Sequence, residues 1–163
     1  MEEAYKAGKV RAIGVSNFSP DRFIDLQHFV EIKPAVNQIE THIFQQQKVA
    51  KKYLEKYKCQ IESWGPFAEG RNDFFNTPLL KEIGEKYGKS VAQVALRFLL
   101  QSDVVVIPKS VRKERMQENF NVFDFELTEE EMKSIEGLDQ EKSLFFDHQD
   151  PETAEFFMSI VNK

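Results

Sequence analysis

Short apolar runs alternate with stretches of helical periodicity along most of this chain, and that alternation predicts a sheet with helices between its strands. The runs VRAIGVS (residues 10–16), AVNQI (35–39), QIESW (Gln60–Trp64) and VVVI (104–107) read as strands. Between them, Ser19 and Pro20 open a helix whose apolar positions are Phe23, Ile24, Leu26 and Phe29. A second helix, residues 46–57, carries Val49, Ala50, Tyr53 and Leu54 at helical spacing. Thr77 and Pro78 start a third that stops at Gly88, and Ser90 caps a more apolar one, VAQVALRFLL. A short helix closes at Gly8, another follows the fourth strand over residues 112–120, and Thr128 with Glu131 forms a capping box. The pattern weakens after Leu138 into a tail with a final helix expected after Pro151. The loop GPFAEGRNDFFN after the third strand is long enough to suggest function.

Four strands separated by helices imply parallel pairing, because parallel neighbours need long crossovers and hairpin signals are few. The expected class is α/β. The polar residues fall at one consistent place: Ser16, Asn17, Gln38, Trp64, Lys109 and Ser110 all sit at strand C-terminal ends. Ligand sites of (βα) barrels and of open parallel sheets lie there.

The last of these ends carries the most chemistry. Lys109, Arg112, Lys113 and Arg115 follow Pro108 within seven positions, with Ser110 among them and a helix start beside them. Cations, a hydroxyl and free backbone N–H groups suit a phosphate. The same run also reads as a solvated helix end.

Composition narrows the classes. The 163 residues are 41% hydrophobic, with 15 Phe, so the chain can bury a real core and reads as a single domain, with the tail from about residue 139. A net charge of -5 argues against general nucleic-acid binding and leaves the basic cluster a local anion. A single cysteine, Cys59, excludes an internal disulfide. No apolar run approaches about 18 residues and the N-terminal stretch lacks a secretory pattern, so a cytoplasmic protein with no membrane role is expected.

Six segments in order, GKVRAIGVSNF, KPAVNQIE, IESWGPFAEG, GKSVAQVALRFL, VVVIPKSVRKERMQENFNVFDFELT and LDQEKSLFFDH, resemble the C-terminal half of an aldo-keto reductase. That family consists of NADPH-dependent (βα)8 TIM-barrel enzymes, so the resemblance implies the last four βα units of such a barrel. It also implies an extended cofactor without a Gly-rich Rossmann fingerprint, and none is present. Carried over by resemblance, Ser16, Asn17 and Gln38 would hold the nicotinamide carboxamide and Trp64 would stack on the ring. Gly65 and Pro66 would begin the loop over the pyrophosphate. Lys109, Ser110, Val111 and Arg115 would surround the adenosine 2′-phosphate, with Arg112 beside them, and Glu118 and Asn119 would meet the adenine. Taken singly, each has a structural reading too: Asn17 could turn the chain, Gln38 could satisfy backbone, and Trp64 could be core. Glu62 reads as partner to a buried basic residue. His28 reads as surface, while His42 and His148 stand near enough to the strand ends to approach a ligand.

The resemblance further implies reduction of small aldehydes or ketones, with a tyrosine, lysine, aspartate and histidine acting from the first half of the barrel. This sequence matches from beyond that half, and Tyr5, Tyr53, Tyr57 and Tyr87 do not match the catalytic motif. Without a general acid the rate falls roughly 10²- to 10⁴-fold, so the chain alone is expected to be nearly inert. A non-catalytic NADP(H)-binding or interaction module is the alternative. An unrelated four-stranded phosphate-binding domain would be marked by Trp64 lying far from Ser16 and Gln38. Half a barrel would expose two strand edges and an apolar interior, so self-association or pairing with a chain carrying the missing half is expected.

Overall fold

The computed structural model describes residues 1–148 and 150–161. Helices α1 (Glu2–Lys6), α2 (Pro20–Phe29), α3 (Lys48–Lys56), α4 (Pro78–Tyr87), α5 (Val91–Gln101), α6 (Lys113–Phe120), α7 (Glu129–Glu136) and α8 (Pro151–Val161) accompany four strands. The strands are β1 (Gly14–Ser16), β2 (Val36–Glu40), β3 (Gln60–Trp64) and β4 (Val105–Val106). They form one sheet in sequential order, and every neighbouring pair is parallel. The fold is α/β, half of a (βα)8 barrel.

The two outer strands are shorter than the apolar runs suggest. Only from Gly14 does the first run come into register with Val36, and Arg11 and Ala12 stay exposed. At the other edge Val104 is drawn into the end of α5, its N–H bonding Leu99 O at 3.0 Å. Ile107 precedes a proline, which has no N–H to donate to a ladder. The second helix begins at Lys48 because Gln47 is left-handed (φ 58°) and the Gln46 side chain bonds Ile43 O and Ile135 O. Phe29 and Val49 lie off the buried stripes, 82% and 65% exposed. The long loop after β3 is ordered into two 3-10 turns, Ala68–Gly70 and Phe74–Asn76.

The two faces of the sheet differ. Asn37, Ile39, Ile61 and Ser63 share the face buried under the helices, where Val94, Leu96, Phe98 and Leu99 of α5 complete the core. The other face, which would be the barrel interior, carries Gly14, Ser16, Val36, Gln38, Gln60 and Glu62, exposed or half-buried. Val105, the register partner of Glu62, adds an exposed apolar group to that face, so the interior expected to be apolar is mixed, polar at β2 and β3 and apolar at β4. Further exposed apolar groups gather beside the β4 edge, at Ile107, Met116, Phe120 and Phe123, and on α8.

Two buried polar groups tie the elements together. Asn37 is fully buried, and its side chain donates to Phe18 O at 2.8 Å and accepts from Phe18 N at 3.4 Å, which fixes the chain leaving β1. Glu131 closes the capping box with Thr128 and accepts from the Tyr87 hydroxyl at 2.7 Å, docking α7 on α4. Burial works to raise the Glu131 carboxyl, but the Thr128 N–H, the Tyr87 hydroxyl and Lys86 outweigh it and hold the group below 4.5.

Asn37→Ala would strand both Phe18 backbone groups, so it should cost about 1–3 kcal/mol in urea denaturation. A depressed carboxyl contributes stability that is complete above its unfolded value, about 4.3, and is lost as pH falls through the lower folded value. Urea midpoints measured from pH 6 downward should therefore fall more steeply for the wild type than for Glu131→Gln.

Candidate functional site

The C-terminal rim of the sheet is built by β1 and β2 first. Asn17 adopts a left-handed conformation (φ 58°), which turns the chain at the strand end and lets its N–H reach Gln38 O at 2.9 Å. Ser16 Oγ donates to the same carbonyl at 3.1 Å. Asn is among the few side chains that tolerate this conformation. The Trp64 indole N–H donates to Asn17 Oδ1 at 2.7 Å, so the third strand end is tied to the first. The Gln38 amide donates to Glu62, its register partner on the open face. Glu62 thus meets an amide rather than the basic residue expected of it.

Immediately beyond Trp64, Gly65 takes a positive φ of 65° and Ala68 N returns to its carbonyl at 2.7 Å. That reversal opens a cavity of about 830 Å³ between the loop and the start of α6. Seven of the expected residues line it: Gly65, Pro66, Lys109, Ser110, Arg115, Glu118 and Asn119. Val111 and Arg112 do not. Val111 is 79% exposed, and Arg112 serves as the N-cap residue of α6, its N–H bonding Ser110 Oγ at 3.2 Å.

Other groups line the cavity without any local pattern that marks them as a site, among them Phe67, Phe75 and Ser90. Ser90 was legible as a helix cap, and it is one, but its hydroxyl also donates to Glu118. That contact spans 28 residues and carries no local signature. With Gln93 bonding Glu118 O at 3.1 Å, the cap of α5 fixes the side of the cavity formed by α6.

At Trp64 the rim is covered by the tail. Phe145 meets the indole edge-on at 5.0 Å between ring centroids, and Arg71 lies 4.4 Å over Phe145. His42 is fully buried and hydrogen-bonded to Glu40 at 2.9 Å, so it does not face a ligand. His148 packs on Phe146, 4.6 Å between ring centroids, and His28 is exposed. Cys59 is buried too, and desolvation pushes its thiol up to about 11, which leaves it protonated and inert. Among the described residues no helix is long and apolar enough to cross a membrane.

The chain as a whole resembles known proteins. Glyoxal reductase of Bacillus subtilis is 44% identical over 142 residues, 87% of this chain and 51% of that protein. The 9,11-endoperoxide prostaglandin H2 reductase of Trypanosoma cruzi is 43% identical over 88% of this chain and 51% of its own length. The chain thus spans about half the length of the curated relatives it matches. In three dimensions it superposes on an aldo-keto reductase from a deep-sea metagenome with a TM-score of 0.86 and 38% identity, covering 91% of this chain and 55% of the other. A Bombyx mori aldo-keto reductase in complex with NADP gives 0.84 at 31% identity, over 93% and 52%. Residues 1–140 match the aldo/keto reductase family as a whole, and with these relatives the match shows that the chain belongs to that family.

Proposed function

We propose that this chain is the cofactor-binding half of an NADPH-dependent oxidoreductase that reduces small aldehydes or ketones to alcohols. The observation that carries the reading is the basic cavity, which brings Lys109, Ser110 and Arg115 together beside the loop that starts at Trp64. The donor set fits the cofactor. Two cations and a hydroxyl suit the 2′-phosphate, Arg through paired charged hydrogen bonds. Glu118 and Asn119 would offer an acceptor and an amide to an adenine edge, and the positive-φ turn at Gly65 would let backbone approach a pyrophosphate. Ser16, Asn17 and Gln38 stand at the strand ends where a carboxamide needs donors and acceptors. When bound, NADPH supplies the hydride.

Relatives named glyoxal reductase and methylglyoxal reductase support a small, reactive carbonyl as substrate. Among the described residues none of the four tyrosines lines the basic cavity, and the Tyr87 hydroxyl is tied to Glu131. In this reading the proton for the new alcohol is assigned to a group outside this half. The β4 edge, with its row of exposed apolar side chains, supports pairing of the chain with a second copy or with a chain carrying the other half.

NADPH should bind more tightly than NADH, and Arg115→Ala should weaken NADPH by roughly 10- to 100-fold while NADH changes little. Titration followed by Trp64, the only tryptophan, reads both. Equal affinities for the two cofactors would overturn the phosphate assignment. Sedimentation should show at least a dimer at micromolar concentration, and a stable monomer across that range would remove the pairing.

A further inference from the structure

The open face of the sheet is exposed or half-buried along most of its length, yet Glu40 on that face is only 6% exposed. Its cover is the tail, residues 139–148, which is anchored twice, once on the segment following β2 and once on the last residue of β2. At the first anchor Gln140 N bonds Phe44 O at 2.8 Å, and Asp139 Oδ1 accepts from Gln46 N and Glu141 N, each at 3.1 Å. At the second, Glu40 accepts from Ser143 Oγ at 2.5 Å through Oε2 and from Leu144 N at 2.9 Å through Oε1. Ser143 Oγ in turn accepts from Phe145 N at 3.0 Å and Phe146 N at 3.1 Å.

The second anchor requires a carboxylate. His42 Nδ1 accepts from the N–H groups of Phe44 and Gln45, at 3.2 and 3.1 Å, so the ring carries its proton on Nε2 and donates it to Glu40 Oε1. Both Glu40 oxygens are therefore acceptors. The Ser143 hydroxyl has used both of its lone pairs on the backbone of the next residues, so it can only donate to Glu40. An amide at position 40 would turn an N–H₂ toward a hydroxyl with no acceptor capacity left. These three hydrogen bonds also hold the Glu40 carboxyl below its usual value against the opposing effect of burial.

We propose that Glu40 is a positioning residue that locks the tail as a strap across the rim and thereby fixes the setting of Trp64. Glu40 and Trp64 are register partners, so a strap held at one arrives at the other. Beyond the lock, Phe145 stands edge-on to the indole, and Phe146 lies 6.3 Å away at 19° to it. Arg71 clamps the strap from outside by donating to Leu144 O at 3.1 Å. The strap covers the indole through Phe145, and the basic cavity begins at the next residue, Gly65. Its consequence for cofactor binding rests on the function proposed above, whereas the lock does not.

The test uses the whole chain without cofactor, in the variants Ser143→Ala, Ser143→Thr and Glu40→Gln. Trypsin cleavage after Lys142, the one Lys or Arg between residues 139 and 148, reads opening of the strap, and Trp64 emission reads its cover. Ser143→Ala and Glu40→Gln should each speed that cleavage by roughly 10-fold or more and shift Trp64 emission to the red, with helical circular dichroism unchanged. Ser143→Thr keeps the hydroxyl and should behave as wild type. Wild-type cleavage and emission in Ser143→Ala would overturn the proposal, and that variant decides alone if Glu40→Gln fails to fold. NADPH titration of the same proteins separates the two readings: an opened strap in a chain that never binds NADPH refutes the function and leaves the lock standing.

Discussion

The parallel, in-register ladder is the constraint on which the rest of this molecule depends. Because all four strands run the same way in sequential order, their C-terminal ends share one rim. Ser16 meets Gln38, Gln38 meets Glu62, and Glu40 meets Trp64 at successive rungs. A slip of one residue in any strand would send these side chains to the helix-covered face. The register is held from that covered face, where Asn37, Ile39, Ile61 and Ser63 are buried and cannot exchange places with Gln38 or Glu62. Packing on one side thus positions chemistry on the other.

Two different environments meet next to Trp64, made by different means. Toward α6 the wall is electrostatic: Lys109 and Arg115 face a cavity whose α6 side is braced by Ser90 and Gln93 from the cap of α5. Toward the tail the wall is aromatic, with Phe145 on the indole and Phe146 bridging to Phe157 of α8 at 5.1 Å. Edge-to-face ring contacts of this kind add about 0.5–1.5 kcal/mol beyond burial. Contacts of that size steer a strap that hydrogen bonds have already placed.

The open face explains why a half barrel need not bury an apolar interior against itself. Gln38, Gln60 and Glu62 leave it polar along β2 and β3, where water can meet it at modest cost. The apolar surface that remains lies beside the short β4 edge, where Val105 and Ile107 stand next to Phe120 and Phe123. Strand edges with exposed apolar neighbours are the usual places for further pairing. Any partner that completes this sheet would cover both together.

Local chemistry determined much of this architecture before any long-range contact is considered. Apolar runs marked all four strands, Ser90 marked a helix cap and Thr128 a capping box, and polar residues at strand ends marked the rim. Each of these is a relation among residues a few positions apart, so a sequence displays it directly. The tertiary structure decided where the edge strands stop, that Phe29 and Val49 face water, and that Val111 and Arg112 stand outside the cavity. It also decided the partners of the buried polar groups: Glu62 with Gln38, Asn37 with Phe18, Glu40 with Ser143. Those pairs lie 24, 19 and 103 residues apart. A carboxylate or amide in a sequence states only that it needs partners; which ones it finds depends on the three-dimensional path of the chain.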